Sequence, residues 1–104
     1  MKISNTETIA NQTISETIGI ARGSTVRSRN IGRDIFASLK NIVGGEIEEY
    51  TKLQADAREQ ALKRMISDAQ RLGADAVVNV RFTTSVVAQG ASEMLAYGTA
   101  VKLK

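Results

Sequence analysis

Apolar side chains recur with helical spacing along residues 50–72. At 100° per residue they form one broad face, and charged and polar groups lie opposite. The stretch holds good helix formers without Gly or Pro, and Gly73 follows where a left-handed residue commonly ends a helix. The pattern predicts one helix of about 35 Å. Its apolar face consists of Tyr50, Leu53, Ala57, Ala61, Leu62, Met65, Ala69 and Leu72.

After Gly73 the apolar positions alternate with a period of two, which predicts strands at residues 76–86 and 93–102 joined by a turn at residues 89–92. The last strand is apolar on both faces. One face carries Met94, Ala96 and Ala100, and the other carries Leu95, Tyr97, Val101 and Leu103.

The first half of the chain is less regular. Residues 13–26 predict a strand with Ile14, Ile18 and Ile20 on one face, and with bulges or a close backbone approach at Gly19 and Gly23. Residues 2–10 predict a short first strand. A further helix is predicted at residues 32–43, capped by Ser28 or Asn30 and ended by Gly44 and Gly45.

These elements give the order β-β-α-α-β-β. They predict a single α+β domain over residues 1–104, with a small antiparallel sheet and two helices on one face. Such helices cover only one side of the sheet, yet the last strand is apolar on both. We therefore expect a homo-oligomer, in which another copy of the chain covers the second side.

Composition narrows the chemistry. The 104 residues include no Cys and no His, which excludes disulfides, thiol chemistry, Cys/His zinc sites and imidazole catalysis. No motif that activates Ser, Thr or Lys appears, so the sequence favours binding or interaction over catalysis. It does not identify a cofactor, which stays unknown. No apolar run has signal-peptide or membrane-spanning length, so a cytoplasmic protein without a membrane partner is expected.

The net charge of +3 comes from the first half of the chain, where arginines cluster around a predicted helix start. Arg27, Arg29 and Arg33 are candidate ligands for a small anion such as a phosphate or carboxylate, because backbone N–H groups at a helix start favour anions too. The alternative is that these side chains pair with nearby carboxylates. Nucleic acid is disfavoured, since the charge is low and the four aromatic residues are scattered.

Acidic residues offer one candidate cation site. Glu46, Glu48, Glu49 and Asp75 supply oxygen ligands of the kind that Mg²⁺ or Ca²⁺ prefers. The alternative is that the glutamates stabilise the positive end of the long helix.

Arg58 falls inside the apolar face of the long helix, where a charge needs a partner. Asp34, Glu46 and Asp75 are candidate partners, in the same chain or in a neighbouring copy. Arg58, Tyr50 and Asp75 are therefore interpreted as structural or interface residues.

Four stretches resemble the YbjQ-like family of small bacterial and archaeal proteins. They are Asn-Ile-Val-Gly-Gly-Glu at residues 41–46 with Tyr50, Ala-Arg-Glu-Gln-Ala at 57–61, Leu-Gly-Ala-Asp-Ala-Val-Val at 72–78, and Gly-Thr-Ala-Val at 98–101. The resemblance implies a dodecin-like topology, ring-shaped homopentamers and a biochemical function that is not established.

That family is often labelled heavy-metal-binding, and this chain lacks the thiolate and imidazole groups that soft or borderline metals prefer. Metal-ion binding and an unrecognised enzymatic activity are the alternatives to a ligand-binding or interaction assembly. The chain also departs from the family at Asn79, where Gly is usual.

Overall fold

The computed structural model describes residues 1–28 and 48–104. This part of the chain forms one helix and one four-stranded sheet. The elements are β1 (Lys2–Ile3), β2 (Ile14–Ser28), α1 (Glu48–Arg71), β3 (Ala76–Ala88) and β4 (Ala91–Leu103).

The sheet has the strand order β1-β3-β4-β2 and is mixed. β2 and β3 run antiparallel to β4, whereas β1 runs parallel to β3. The predicted antiparallel sheet with two helices on one face, in the order β-β-α-α-β-β, is therefore wrong. The described residues form a single-helix α+β fold, and the helix predicted at residues 32–43 lies outside them. A two-residue strand such as β1 has no periodicity from which its direction could be predicted.

The long helix is confirmed within two residues at each end. α1 ends in a Schellman motif, in which the Gly73 N–H donates to the Gln70 carbonyl and the Ala74 N–H donates to the Ala69 carbonyl, each at 3.0 Å. Gly73 has a φ of 80°, which glycine adopts without steric cost. The predicted helix end is therefore correct in both position and cause.

The predicted strands at residues 76–86 and 93–102 are confirmed as β3 and β4, but a bulge changes the phase of β3. Its register on β4 shifts between Val78 and Arg81, and Asn79 has a left-handed φ of 55°. Val77 and Val80 consequently lie on the same side of the sheet, in the core beneath α1. We call the face of the sheet that packs against α1 the helix side, and the opposite face of the sheet the outer side.

Irregularities also divide the isoleucines of β2. Its register on β4 shifts between Ile14 and Glu16 and again between Thr17 and Gly19. Ile18 packs on the helix side, Ile14 packs on the outer side, and Ile20 is 68% exposed. The bulge predicted at Gly19 is present, the one between Ile14 and Glu16 was not predicted, and together they make the predicted common face of the three isoleucines wrong.

A dense core of small side chains joins α1 to the sheet. Gly23 lies so close to the helix that an added Cβ would stand 2.2 Å from the Met65 backbone nitrogen. The predicted close approach at Gly23 is therefore confirmed. The buried residues of this core are Ala21, Ala57, Ala61, Met65, Ala69, Val77, Val80, Met94, Ala96 and Ala100.

The outer side is covered only at one end. There Ala76, Val78 and Val101 are buried beneath Ile9, Ile14 and Leu103. The chain's own N-terminal residues thus cover part of the surface for which we expected a second copy. Among residues 1–28 and 48–104, no apolar segment packs over the middle and the far end of the outer side.

Candidate functional site

The predicted anion site is only partly within the described residues. Arg27 is half-buried near the end of β2, and its Nη2 donates a hydrogen bond to Gln60 Oε1 of α1 at 2.9 Å. Arg29 and Arg33 lie outside the described residues. Whether the three arginines lie together is therefore not tested by the described residues, and the anion site stays a prediction.

Other charged groups form a seam between β2 and α1. The carboxylate of Asp68 accepts a hydrogen bond from Arg71 Nη2 at 2.7 Å and another from the Arg22 backbone N–H at 3.0 Å. The bond from the Arg71 side chain, supported by the one from Arg22, lowers the pKa of the Asp68 carboxyl. One turn earlier, Arg64 Nη1 donates to the Ser24 carbonyl at 2.6 Å.

This seam has a clear structural consequence. Because the Arg22 N–H and the Ser24 carbonyl bond to side chains of α1, they are not free to pair with another strand. Charged side chains are a common means of protecting a sheet edge. The helix therefore packs on β2 and also caps part of the free edge of that strand.

The residues interpreted as structural or interfacial have different surroundings. Asp75 Oδ2 accepts the Leu103 backbone N–H at 2.9 Å, which ties the start of β3 to the end of β4. Arg58 is exposed and forms no ion pair within residues 1–27 and 51–104, so no pairing with Asp75 is present. The side chain of Tyr50 lies outside the described residues.

The candidate cation site cannot be assembled from what the structure describes. Glu46 and the side chains of Glu48 and Glu49 lie outside it, as does Asp34, a proposed partner of Arg58. Within the described part of the chain, no group of three or more acidic side chains is placed to hold a metal ion.

The side chains of this protein also offer few ligands for a soft metal ion. With no Cys or His in the sequence, thioethers are the only soft ligands. Met65 and Met94 are buried in the core beneath α1, and Met94 Sδ accepts a hydrogen bond from Thr84 Oγ1 at 3.3 Å. Both of these side chains serve packing, and the third methionine, Met1, is a single exposed thioether, so the methionines do not fit a heavy-metal site.

Exposed apolar side chains follow the outer side of β2 and β4 from its middle to its far end, with Arg22 and Ser24 of β2 lying between Ile20 and Val26. We call this group the outer patch: Ile20, Val26, Leu95 and Tyr97. Ile20 is 68% exposed and Val26 is 57% exposed, while Leu95 is half-buried. The apolar character of Leu95 and Tyr97 could be read from the sequence, but the place of Ile20 could not, because it depends on the bulges of β2.

A second exposed apolar surface lies on β3 beyond the reach of the helix. Every residue from Arg81 to Ala88 is exposed, and Val86 retains 80% of its accessible surface. At the base of this segment, Phe82 lines an open cleft of about 310 Å³ together with Ile3, Leu62 and Val80. Alternation predicted the strand, but it carried no information about which part α1 covers.

Membrane insertion through a helix finds no support in residues 1–28 and 48–104. None of their helical structure is long and apolar enough to cross a bilayer.

Comparisons with known proteins give a consistent result. A protein of Halorubrum lacusprofundi named UPF0145 protein is 58% identical over 104 residues, which is all of both chains. A UPF0145 protein of Archaeoglobus fulgidus is 60% identical over 102 residues, covering 98% of this chain and 94% of that protein.

A similar fold occurs in a crystal structure of a protein with unknown function from Pediococcus pentosaceus, assigned to the DUF74 family. It has a TM-score of 0.66 and 16% identity, and the match covers 100% of this chain and 98% of that one. The model of the YbjQ family, described as "Putative heavy-metal-binding", matches residues 1–104. The two relatives named above, with more than half of their residues identical, are both UPF0145 proteins. This chain therefore belongs to the YbjQ family.

Proposed function

We propose that the chain is one subunit of a cytoplasmic homo-oligomeric assembly that binds a ligand or a partner and does not catalyse a reaction. The outer patch is the observation that carries this proposal. Five subunits are expected from the family resemblance, with residues 1–104 as a single domain in each.

The outer patch gives the assembly a driving force. Complete burial of an isoleucine or valine side chain contributes about 1.5–3 kcal/mol. Ile20 and Val26 keep more than half of their surface exposed in a single chain, and Tyr97 lies diagonally across from Ile20. Another copy covering these side chains would gain several such contributions at once, since the surface is the same on every chain.

Binding is favoured over catalysis by the roles of the charged groups. Asp68, Arg64 and Arg27 make contacts that hold α1 against β2. Asp75 holds the end of β4. Groups engaged in this way position the fold, and the absence of His and Cys from the sequence removes imidazole acid–base catalysis and thiol nucleophiles.

Light scattering coupled to gel filtration tests the assembly. A pentamer of 11.2 kDa subunits has a mass of about 56 kDa, five times the chain mass. Replacing Ile20 with aspartate should weaken association by about tenfold or more, because a charge would be buried in the contact. The matched control is Ser67→Asp, which adds the same charge on the exposed side of α1.

A parent protein that runs as an 11.2 kDa monomer at micromolar concentration would overturn the proposal. If the assembly forms, native mass spectrometry of the intact oligomer then identifies any ligand that co-purifies with it.

A further inference from the structure

Within residues 1–28 and 48–104, the edge of the sheet formed by β3 is left open over residues 82–87, near the far end of the strand. β1 pairs only with Ala76 and Val77, after which the Asn79 N–H donates to the Thr6 carbonyl and the Val80 N–H to the Ser4 carbonyl. In the part of the chain that the structure describes, residues 82–87 have no main-chain partner on that side. We call residues 82–87 the open edge.

The sequence of the open edge is suited to strand pairing. Phe-Thr-Thr-Ser-Val-Val contains no charge, no Pro and no Gly, and four of its six residues are β-branched. Residues 81–86 also pair with β4 in unbroken register, so this stretch of β3 is regular. Exposed edges with these properties pair readily with other chains, which is why natural proteins usually protect them.

The opposite edge of the same sheet shows such protection. On β2, Asp68 and Arg64 of α1 bond the outward N–H of Arg22 and the outward carbonyl of Ser24. Arg81 lies just before the open edge, where its Nη1 donates to the carbonyls of Asn5 and Val80. The protection therefore stops where the open edge begins.

Exposed apolar side chains accompany the unpaired backbone. Val86 lies on the helix side and is 80% exposed, Val87 is 53% exposed, and Phe82 is 43% exposed. A strand placed beside the open edge would satisfy the backbone groups and cover these side chains together.

We infer that the open edge of β3 pairs with a strand of a second copy of this chain. The inference rests on the proposed homo-oligomer and adds the surface through which its copies meet. A foreign peptide is the less suitable occupant, because strand addition takes its specificity from pockets for alternate side chains, and the cleft at the open edge is lined by Phe82 at one end of the segment only.

Val26, on the opposite edge strand β2, is the residue that we expect to contact the open edge of a second copy. It pairs with Glu93 of β4, which in turn pairs with Ser85 of the open edge, so the two residues lie at the same end of the sheet. Val26 is 57% exposed and lies past the positions of β2 that α1 caps.

Cysteine cross-linking tests the contact directly, because the natural chain contains no cysteine. Ser85→Cys would be oxidised alone and, in a separate sample, mixed with Val26→Cys after reversible dissociation. A disulfide between two Ser85→Cys chains, or between one Ser85→Cys and one Val26→Cys chain as identified by mass spectrometry, places a second copy at the open edge, whereas a dimer of two Val26→Cys chains does not. Glu59→Cys, exposed on α1, measures cross-linking by random collision.

A second variant tests the same contact without cross-linking. Val86→Lys introduces a charge typical of protected edges and should weaken association by about tenfold or more. Gln89→Lys adds the same charge at the exposed turn and should leave association unchanged. Circular dichroism shows whether both variants keep the fold.

The outcomes separate this inference from the proposed assembly. The open-edge contact is overturned, and the assembly left standing, if two results occur together. The first is cross-linking no stronger than that of Glu59→Cys, and the second is a Val86→Lys oligomer with the same mass as the parent oligomer. A monomeric parent protein would overturn the assembly itself.

Discussion

Asn79 sets the phase of β3 through its own backbone conformation. With a φ of 55° it occupies the left-handed region, and the register on β4 shifts around it. The bulge brings Val77 and Val80 to the helix side, although an odd spacing would place them on opposite sides of a regular strand. Asparagine is among the few residues other than glycine that adopt this conformation at low cost, which explains why this position of β3 can hold it.

Replacing Asn79 with valine should lower the free energy of unfolding by about 2 kcal/mol, because a β-branched residue is strained in the left-handed region. Asn79→Gly should stay within about 1 kcal/mol of the parent protein, since glycine adopts this φ freely. Urea denaturation at fixed protein concentration measures both. Thr83→Val, an exposed change in the same strand, is the control. Equal stability of the valine and glycine variants would show that the conformation of Asn79 is not what matters.

At the scale of elements, α1 and β2 pack through their backbones. Ala57, Ala61 and Ala69 present almost no side-chain bulk to the sheet, and each is at most 5% exposed. Gly23 completes the contact from the side of β2, because any Cβ there would meet the backbone of Met65 and Ala61. Three hydrogen-bonded contacts, from Asp68, Arg64 and Gln60, then fix the helix along the strand.

Gly23→Ala should therefore lower the free energy of unfolding by about 3 kcal/mol, the upper part of the range for overpacking a core. The obstacle is backbone at 2.2 and 2.5 Å, which cannot rotate away as a side chain could. Thermal and urea unfolding measure the loss. Ser24→Ala, one residue further along, is the control and should change stability by less than about 0.5 kcal/mol. A Gly23→Ala protein as stable as this control would show that α1 can shift without cost.

At the scale of the whole molecule, the sheet is protected unequally. The helix side is covered over its middle by α1, and the N-terminal residues cover one end of the outer side. The outer patch and the open edge remain, at the middle and far end of the sheet. Both are properties of a subunit with further surface to bury, which is the physical basis of the proposed assembly.

The molecule as a whole should not bind Zn²⁺, Cu²⁺ or Ni²⁺ tightly, despite the description of its family. Its 104 residues offer these ions neither thiolate nor imidazole, and isolated carboxylates hold them weakly. Isothermal calorimetry at neutral pH, on protein without an affinity tag, should show no submicromolar binding. Asp75→Asn controls for weak carboxylate binding. Stoichiometric uptake of one ion per chain with submicromolar affinity would contradict this expectation.

The sequence by itself determined the elements whose signals are local. Helical spacing and Gly73 located α1 and its end, and alternation located β3 and β4. It also assigned the two faces of β4 correctly, because no bulge interrupts the alternation of its buried residues. The family resemblance, carried by motifs spread over the chain, was likewise available from the sequence and is confirmed.

Only the tertiary structure decided how these elements meet. The parallel pairing of β1, the phase changes at Asn79 and in β2, and the capping of β2 by α1 all depend on contacts between residues far apart in the sequence. Periodicity reports which side chains share a face only while a strand stays regular, so the bulge between Thr17 and Gly19 was enough to put Ile18 on the helix side and Ile20 in the outer patch. The exposed surface on which the proposed function rests was therefore set by strand register, a property that composition and spacing do not contain.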